Sequence, residues 1–190
     1  MTDSDILKRL DRVESMLAIQ QLPVRYARAV DSRDVDTWVN LFVDNVRVTK
    51  EETGRPALAA WITRALRGFY RSHHFVCGHV IDFDPADENR ASGTVYCRAE
   101  HEDRGKWIVM AIIYFDKYDR RDGVWYFHQR RELHWYSTDM LERPNDTPSF
   151  QRWSGHEGAT PHLPAEFATW KDFWAQVDPA VVNQLTQSPV

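Results

Sequence analysis

Two side chains in this sequence are of the right types to do acid–base chemistry together. His74 stands at the start of a stretch with strand periodicity, and Asp31 stands at the end of a stretch with helical periodicity. An imidazole is the natural proton acceptor near neutral pH. It works as a base when one ring nitrogen is held by an acceptor and the other faces substrate. A carboxylate such as Asp31 can be that acceptor and can stabilise the imidazolium formed by proton transfer. In a dry pocket, such a pair suits removal of a carbon-bound or hydroxyl proton followed by loss of a neighbouring group. The plainer reading of His74 is a strand-end histidine tied up in structural hydrogen bonds. His73, next to it, points to the opposite strand face. Tyr26 is a candidate donor to a leaving oxygen or carbonyl, or else a core aromatic. Arg131 shares strand parity with Trp125 and Phe127 and is expected to point inward, where it would hold an anion or make a salt bridge. Arg130 takes the outward parity.

The remaining side chains exclude several function classes. His74 and His79 are five apart on one strand and are expected to face opposite ways. His101, His128 and His134 have no carboxylate at ligand spacing, so no metal site is expected. No phosphate-binding glycine loop or nucleophile elbow is present, and no cofactor is expected. Cys77 and Cys97 lack zinc spacing and read as small buried thiols within strands. The net charge is −4 with no Lys/Arg-rich run, which argues against a nucleic-acid partner. No apolar run is long enough to span a membrane. The charged, helical start lacks a signal-peptide core, so a cytoplasmic protein is expected. Aromatic residues make 13% of the chain, a surplus that suits a pocket for a flat or apolar ligand. Trp38, Val76, Cys97, Phe127 and Trp135 are the candidates to line it.

The elements that must position these residues follow from periodicity. Ile6, Leu10, Val13 and Leu17 have helical spacing, and Pro23 is expected to interrupt or bend that helix. Leu22, Tyr26, Ala29 and Val30 form a second helical run ending near Asp31. Asp34 is a plausible N-cap for a short helix carrying Trp38, Leu41 and Phe42. Val46 and Val48 read as an edge strand. A further helix starts at Gly54-Arg55-Pro56, with Leu58, Trp61, Ile62, Ala65, Leu66 and Phe69 as its stripe. From residue 74 the period becomes two, predicting strands near 74–83, 90–101, 106–117 and 124–137. The turns between them carry Asn89, Arg104-Gly105 and Asp122-Gly123, which is hairpin chemistry. Helices followed by an antiparallel meander predict an α+β fold, a cone-shaped barrel with helices packed in a strongly curved sheet. Six of the nine prolines lie at or after Pro144, so residues 139–190 are expected to be an extension of the 1–138 domain. One short helix is expected there, near 165–176. Phe150, Trp153, Phe167, Trp170, Phe173 and Trp174 would need burial, over the cone mouth or against a neighbouring subunit.

Specific residues sharpen the family. The run Ala18-Ile19-Gln20 followed by Tyr26 to Asp34, the run His73 to Gly78, and the run Asp119 to Trp125 resemble, in order, three signatures of the SnoaL-like branch of the nuclear transport factor 2-like superfamily. The match covers roughly residues 5–138. The branch includes dehydratases, a dehydrochlorinase and polyketide cyclases that use an Asp–His pair without metal or organic cofactor. The resemblance implies His74 and Asp31 as that pair, with Tyr26 and Arg131 at two further motif positions. Gly78 departs from the family, where Asn is common. The implied activity is a cofactor-free lyase, dehydratase, isomerase or cyclase acting on a hydrophobic, cyclic or aromatic small molecule. The alternative is a non-catalytic ligand-binding or structural subunit, since the fold serves that role too. A homodimer or homotrimer is expected, with Ile112, Tyr114, Tyr126 and Tyr136 of the sheet's outer face at the contact.

Overall fold

Pro23 does not break the first helix. In the computed structural model α1 runs unbroken over Asp3–Ser32 with Pro23 inside it. The structure describes residues 2–141, 168, 171–172 and 175–181. Thr2 caps the helix start by accepting from the Asp5 amide, and the Asp5 carboxylate accepts from Thr2 in return. One face of the helix, with Ser15, Ile19, Leu22, Ala27 and Val30, is buried. The regularly spaced Ile6, Leu10, Val13 and Leu17 lie on the other face and are exposed.

Two short helices follow. α2 is Val35–Asn40, and its N-cap Asp34 accepts from the Thr37 amide at 3.0 Å, as its sequence predicts. α3 is Arg55–Leu66, entered through Gly54 at φ 92°, with Pro56 in its first turn. Between them, Val46 and Val48 belong to no strand of the sheet. The neighbouring Arg47 makes only an isolated bridge to Thr53.

The sheet is the expected antiparallel meander, β1 (Arg71–Phe83), β2 (Arg90–Asp103), β3 (Lys106–Arg121) and β4 (Val124–Asp139), paired in sequence order. Arg104-Gly105 and Asp122-Gly123 form its two tight hairpin turns, all four residues at positive φ. Helices on one face of a curved four-stranded sheet give the α+β cone. A core cluster of Ile19, Leu22, Val30, Trp38, Phe42, Leu58, Ile62 and Phe127 joins helices to sheet. A second cluster, around Val95, Ala99, Ile108 and Met110, fills the other part of the inner face.

Three register shifts decide which side chains face inward. β1 slips between Val76 and Gly78 at Cys77. β4 slips twice against β3, leaving His128 and Trp135 as the extra residues. A bulge inserts one unpaired residue, bends the strand, and reverses side-chain parity beyond it. Cys77 is therefore exposed rather than buried, while Cys97 is buried as expected. Ile112 and Tyr114 pair with Cys97 and Val95 and are buried, so they cannot belong to an outer-face contact.

The extension from residue 139 falls largely outside the described residues. Of the helix expected near 165–176, Ala168, Lys171 and Asp172 are described as helical. Phe150, Trp153, Phe167, Trp170, Phe173 and Trp174 lie outside the described residues.

Candidate active site

The end of α1 and the start of β1 meet at a carboxylate. Arg33 takes the left-handed conformation at φ 62° and stops the helix, so Asp31 is held in its last turn. The Arg33 guanidinium ties this end to β1 by donating to Val30 O at 2.8 Å, Ser72 Oγ at 3.0 Å and Tyr70 O at 3.0 Å. Ser72 and His74, two apart on β1, share the inner face. Asp31 Oδ1 accepts from Ser72 Oγ at 2.8 Å and lies 2.7 Å from His74 Nδ1. Its Oδ2 accepts from the His74 amide at 2.9 Å. Burial pushes the Asp31 carboxyl up, but the His74 and Ser72 hydrogen bonds outweigh it and hold it below its ordinary value. With Nδ1–H donated to Asp31, Nε2 is the unprotonated nitrogen of a neutral His74.

His74 lines a lobe of about 200 Å³, walled by Val30, Ile62, Leu66, Phe69, Met110 and Ile112. His101, Glu132 and His134 are its other polar side chains apart from Tyr26 and Tyr114. The His101 ring stands edge-on to His74 at 5.6 Å. A second lobe of about 300 Å³ lies towards α2, with Trp38, Phe42, Leu58 and Arg130 on its wall. Tyr26, Trp61, Tyr114 and Glu132 line both lobes, so they form the boundary between them.

Tyr26 rises from α1 against Trp38, Phe42, Tyr114 and Phe127. Burial drives its phenol well above the ordinary value, with the Arg130 charge opposing, so it stays protonated as a donor.

The structure corrects the two arginines. The bulge at His128 lies between Phe127 and Arg130, so Arg130 takes the inner face, while Arg131 is exposed and lines the second lobe without sharing the Phe127 face. The Arg130 guanidinium lies over the Tyr26, Tyr114 and Phe127 rings. The same reasoning corrects His79, which the Cys77 bulge returns to the inner face, where its Nε2 is 2.9 Å from the Tyr118 hydroxyl.

Of the side chains expected to line the pocket, Trp38 does. Val76 and Cys97 pack together in the second core cluster and line neither lobe. Phe127 is fully buried behind Tyr26 and Arg130 rather than facing the cavity. Trp135 is the extra residue of a bulge and packs edge-on to exposed Tyr96, away from the cavity.

The sequence reading passed over Ser72, Arg33, Glu132 and His134. Ser72 was detectable, because it sits two residues before His74. The other three depend on a cap conformation and on bulges that no residue pattern announces.

The fold and the pair now stand beside known proteins. The SnoaL-like domain model matches residues 11–131 of this chain. The chain belongs to the SnoaL-like domain family. This SnoaL-like domain is 29% identical over 136 residues to the gamma-hexachlorocyclohexane dehydrochlorinase of Sphingobium indicum, covering 69% of this chain and 87% of that protein. Its fold matches a crystal structure of a type 2 hexachlorocyclohexane dehydrochlorinase at a TM-score of 0.63 and 22% identity, over 71% of this chain and 95% of the other. A scytalone dehydratase-like protein from Novosphingobium aromaticivorans matches at a TM-score of 0.60 and 24% identity, over 70% and 92%. At such identities, the structural likeness speaks to the fold of this SnoaL-like domain alone.

Proposed function

We propose that this SnoaL-like protein is a cofactor-independent lyase that opens a β-elimination on a hydrophobic, cyclic or aromatic small molecule. The observation that carries the reading is the 2.7 Å contact of His74 Nδ1 with Asp31, on a ring that lines an apolar cavity. Nε2 of His74 takes a proton from carbon. The C–H electrons become a C=C bond while the neighbouring C–X bond breaks. A halide X leaves as the anion; a hydroxyl X takes the proton back from His74 and leaves as water. Asp31 keeps the imidazole in the tautomer that leaves Nε2 free and stabilises the imidazolium. Ser72 and Arg33 are positioning residues that fix Asp31. Tyr26, held protonated, donates to an oxygen of the substrate. Arg130 stands in the place expected of Arg131. Its guanidinium is engaged by Asp116, so it holds Tyr26 in position rather than offering a free charge. Isomerisation and cyclisation share the opening proton transfer.

The test uses a probe whose only demand is a positioned base. 5-Nitrobenzisoxazole opens to a coloured phenolate when its ring C–H proton is removed. The protein is expected to accelerate that reaction, and His74→Ala to lower the rate about 10²–10⁴-fold, the usual scale for acid–base catalysis. An H74A variant as fast as the parent would overturn the assignment.

A further inference from the structure

The cavity holds a second histidine–carboxylate pair, on β4 rather than β1. His134 Nε2 makes a short contact with Glu132 Oε1. Both side chains line the lobe that contains His74. Glu132 is the more exposed partner, at 38% against 9% for His134, so its carboxylate is open to a ligand. Glu132 also lines the second lobe and so stands at the boundary between the two.

This pair differs from Asp31–His74 in what lines the cavity. There only the imidazole does; here the carboxylate and the imidazole both do. His134 Nδ1 is buried with no hydrogen-bond partner among the described residues. The Nε2 edge of the ring is the one engaged, and it orients the Glu132 carboxylate. Arg130, whose charge acts on Glu132, gives two hydrogen bonds to Asp116 and is committed there. Burial raises the Glu132 carboxyl, but the hydrogen bond and charge of His134, then the charges of His74 and Arg130, outweigh it and hold it below its ordinary value. Glu132 is the only acidic or basic side chain besides histidine among the described residues that line the His74 lobe.

We infer that the Glu132–His134 pair is a specificity subsite that accepts a hydrogen bond from a hydroxyl group on the ligand and disfavours halide and carboxylate groups at the same place. An anionic acceptor in an apolar cavity is left unpaired by a ligand with no donor, and a charge-assisted hydrogen bond is lost. A chlorine brought to the carboxylate meets repulsion that grows as it becomes chloride. Where the elimination reading holds, which this step alone rests on, the preferred substrate class is hydroxylated and the group lost is water.

Equilibrium dialysis of the full chain with two ligands of matched shape, 2-naphthol and 2-chloronaphthalene, tests the subsite. The parent protein is expected to bind 2-naphthol at least about tenfold more tightly, although the chloro compound is the more hydrophobic. Glu132→Leu is expected to abolish or invert that ratio while 2-chloronaphthalene still binds, which shows the cavity intact. Glu132→Gln keeps an acceptor oxygen and is expected to fall between. His74→Ala keeps the preference, so the subsite and the base fail or stand separately. A parent ratio of one or less, or a ratio unchanged in E132L or E132Q, overturns the inference.

Discussion

Arg130 and Asp116 face each other across β3 and β4 through two hydrogen bonds, Nε to Oδ1 at 3.0 Å and Nη2 to Oδ2 at 3.1 Å. Their side chains are 5% and 0% exposed. Burial pushes the Asp116 carboxyl up, and Arg130 and the Tyr118 hydroxyl only partly offset it. A buried pair of this kind adds little over an apolar pair, but half of one is costly. Asp116→Asn, which leaves the guanidinium without its counter-charge, is expected to lose about 3–5 kcal/mol in denaturant unfolding. The double variant Asp116→Leu with Arg130→Met should recover most of that. A single variant within 1 kcal/mol of the parent, roughly the size of a surface pair, would rule this out.

A pH dependence of stability follows from the same network. His79 Nε2 reaches Tyr118, whose hydroxyl donates to Asp116 at 2.9 Å, and His79 Nδ1 is buried with no hydrogen-bond partner among the described residues. Burial, then the Arg130 charge, lowers the imidazole from 6.5 to about 4. Between these values the unfolded chain binds the extra proton and the native state does not. Stability from this group is therefore complete above pH 6.5 and is lost as pH falls to about 4. Asp31 and Glu132, held low, add a loss at still lower pH, while Asp116, held above its ordinary 3.8, works against the His79 loss until pH reaches that value. Melting temperature followed by circular dichroism should decline across this window, and His79→Gln should flatten the decline. A parent curve that is already flat there would contradict the assignment.

How much of this was legible before the structure depends on whether local periodicity persists. The meander, the two glycine hairpins and the Asp34 cap follow from local pattern, the meeting of Asp31 with His74 follows from the family resemblance, and the structure has all of them. Arg131, Trp135 and His79 were misplaced for one reason. Strand parity was carried across residues that proved to be bulges, and one extra residue turns every later side chain to the other face. Pro23 misled differently. A proline there predicts an interruption or a bend, but Leu22 and Pro23 are both buried in α1, and packing of that face carries the helix through without interruption. The exposed stripe of Ile6, Leu10, Val13 and Leu17 marks the same limit, since helical spacing shows a face without showing what covers it.

Gly93 is required by a close approach between strands. A Cβ there would lie 2.8 Å from the Val80 carbonyl oxygen, 2.9 Å from His79 Nε2 and 3.0 Å from the Tyr118 ring. The carbonyl belongs to a paired strand and cannot step aside. Gly93→Ala is expected to cost about 1–3 kcal/mol, as overpacking does, and to disturb the His79–Tyr118 contact. Chemical unfolding provides the check. A variant as stable as the parent would show that β1 shifts to make room.

In the proposed elimination His74 alone takes the proton, Asp31 holds the imidazole, and Ser72 holds Asp31 through one hydrogen bond to Oδ1 at 2.8 Å. Loss of rate on 5-nitrobenzisoxazole should follow that order. His74→Ala and Asp31→Asn are each expected to lower kcat/KM about 10²–10⁴-fold. Their combination should be little worse than H74A alone, because Asp31 has nothing left to orient; residues that act as one unit are far from additive. Ser72→Ala removes one of three hydrogen bonds to the carboxylate and leaves both His74 contacts in place, so its loss should be the smallest, about tenfold or less. Single-turnover rates for the four variants separate these cases. Fully additive losses in the double variant would mean that Asp31 acts on the reaction independently of His74, and would overturn the pairing inferred from their 2.7 Å contact.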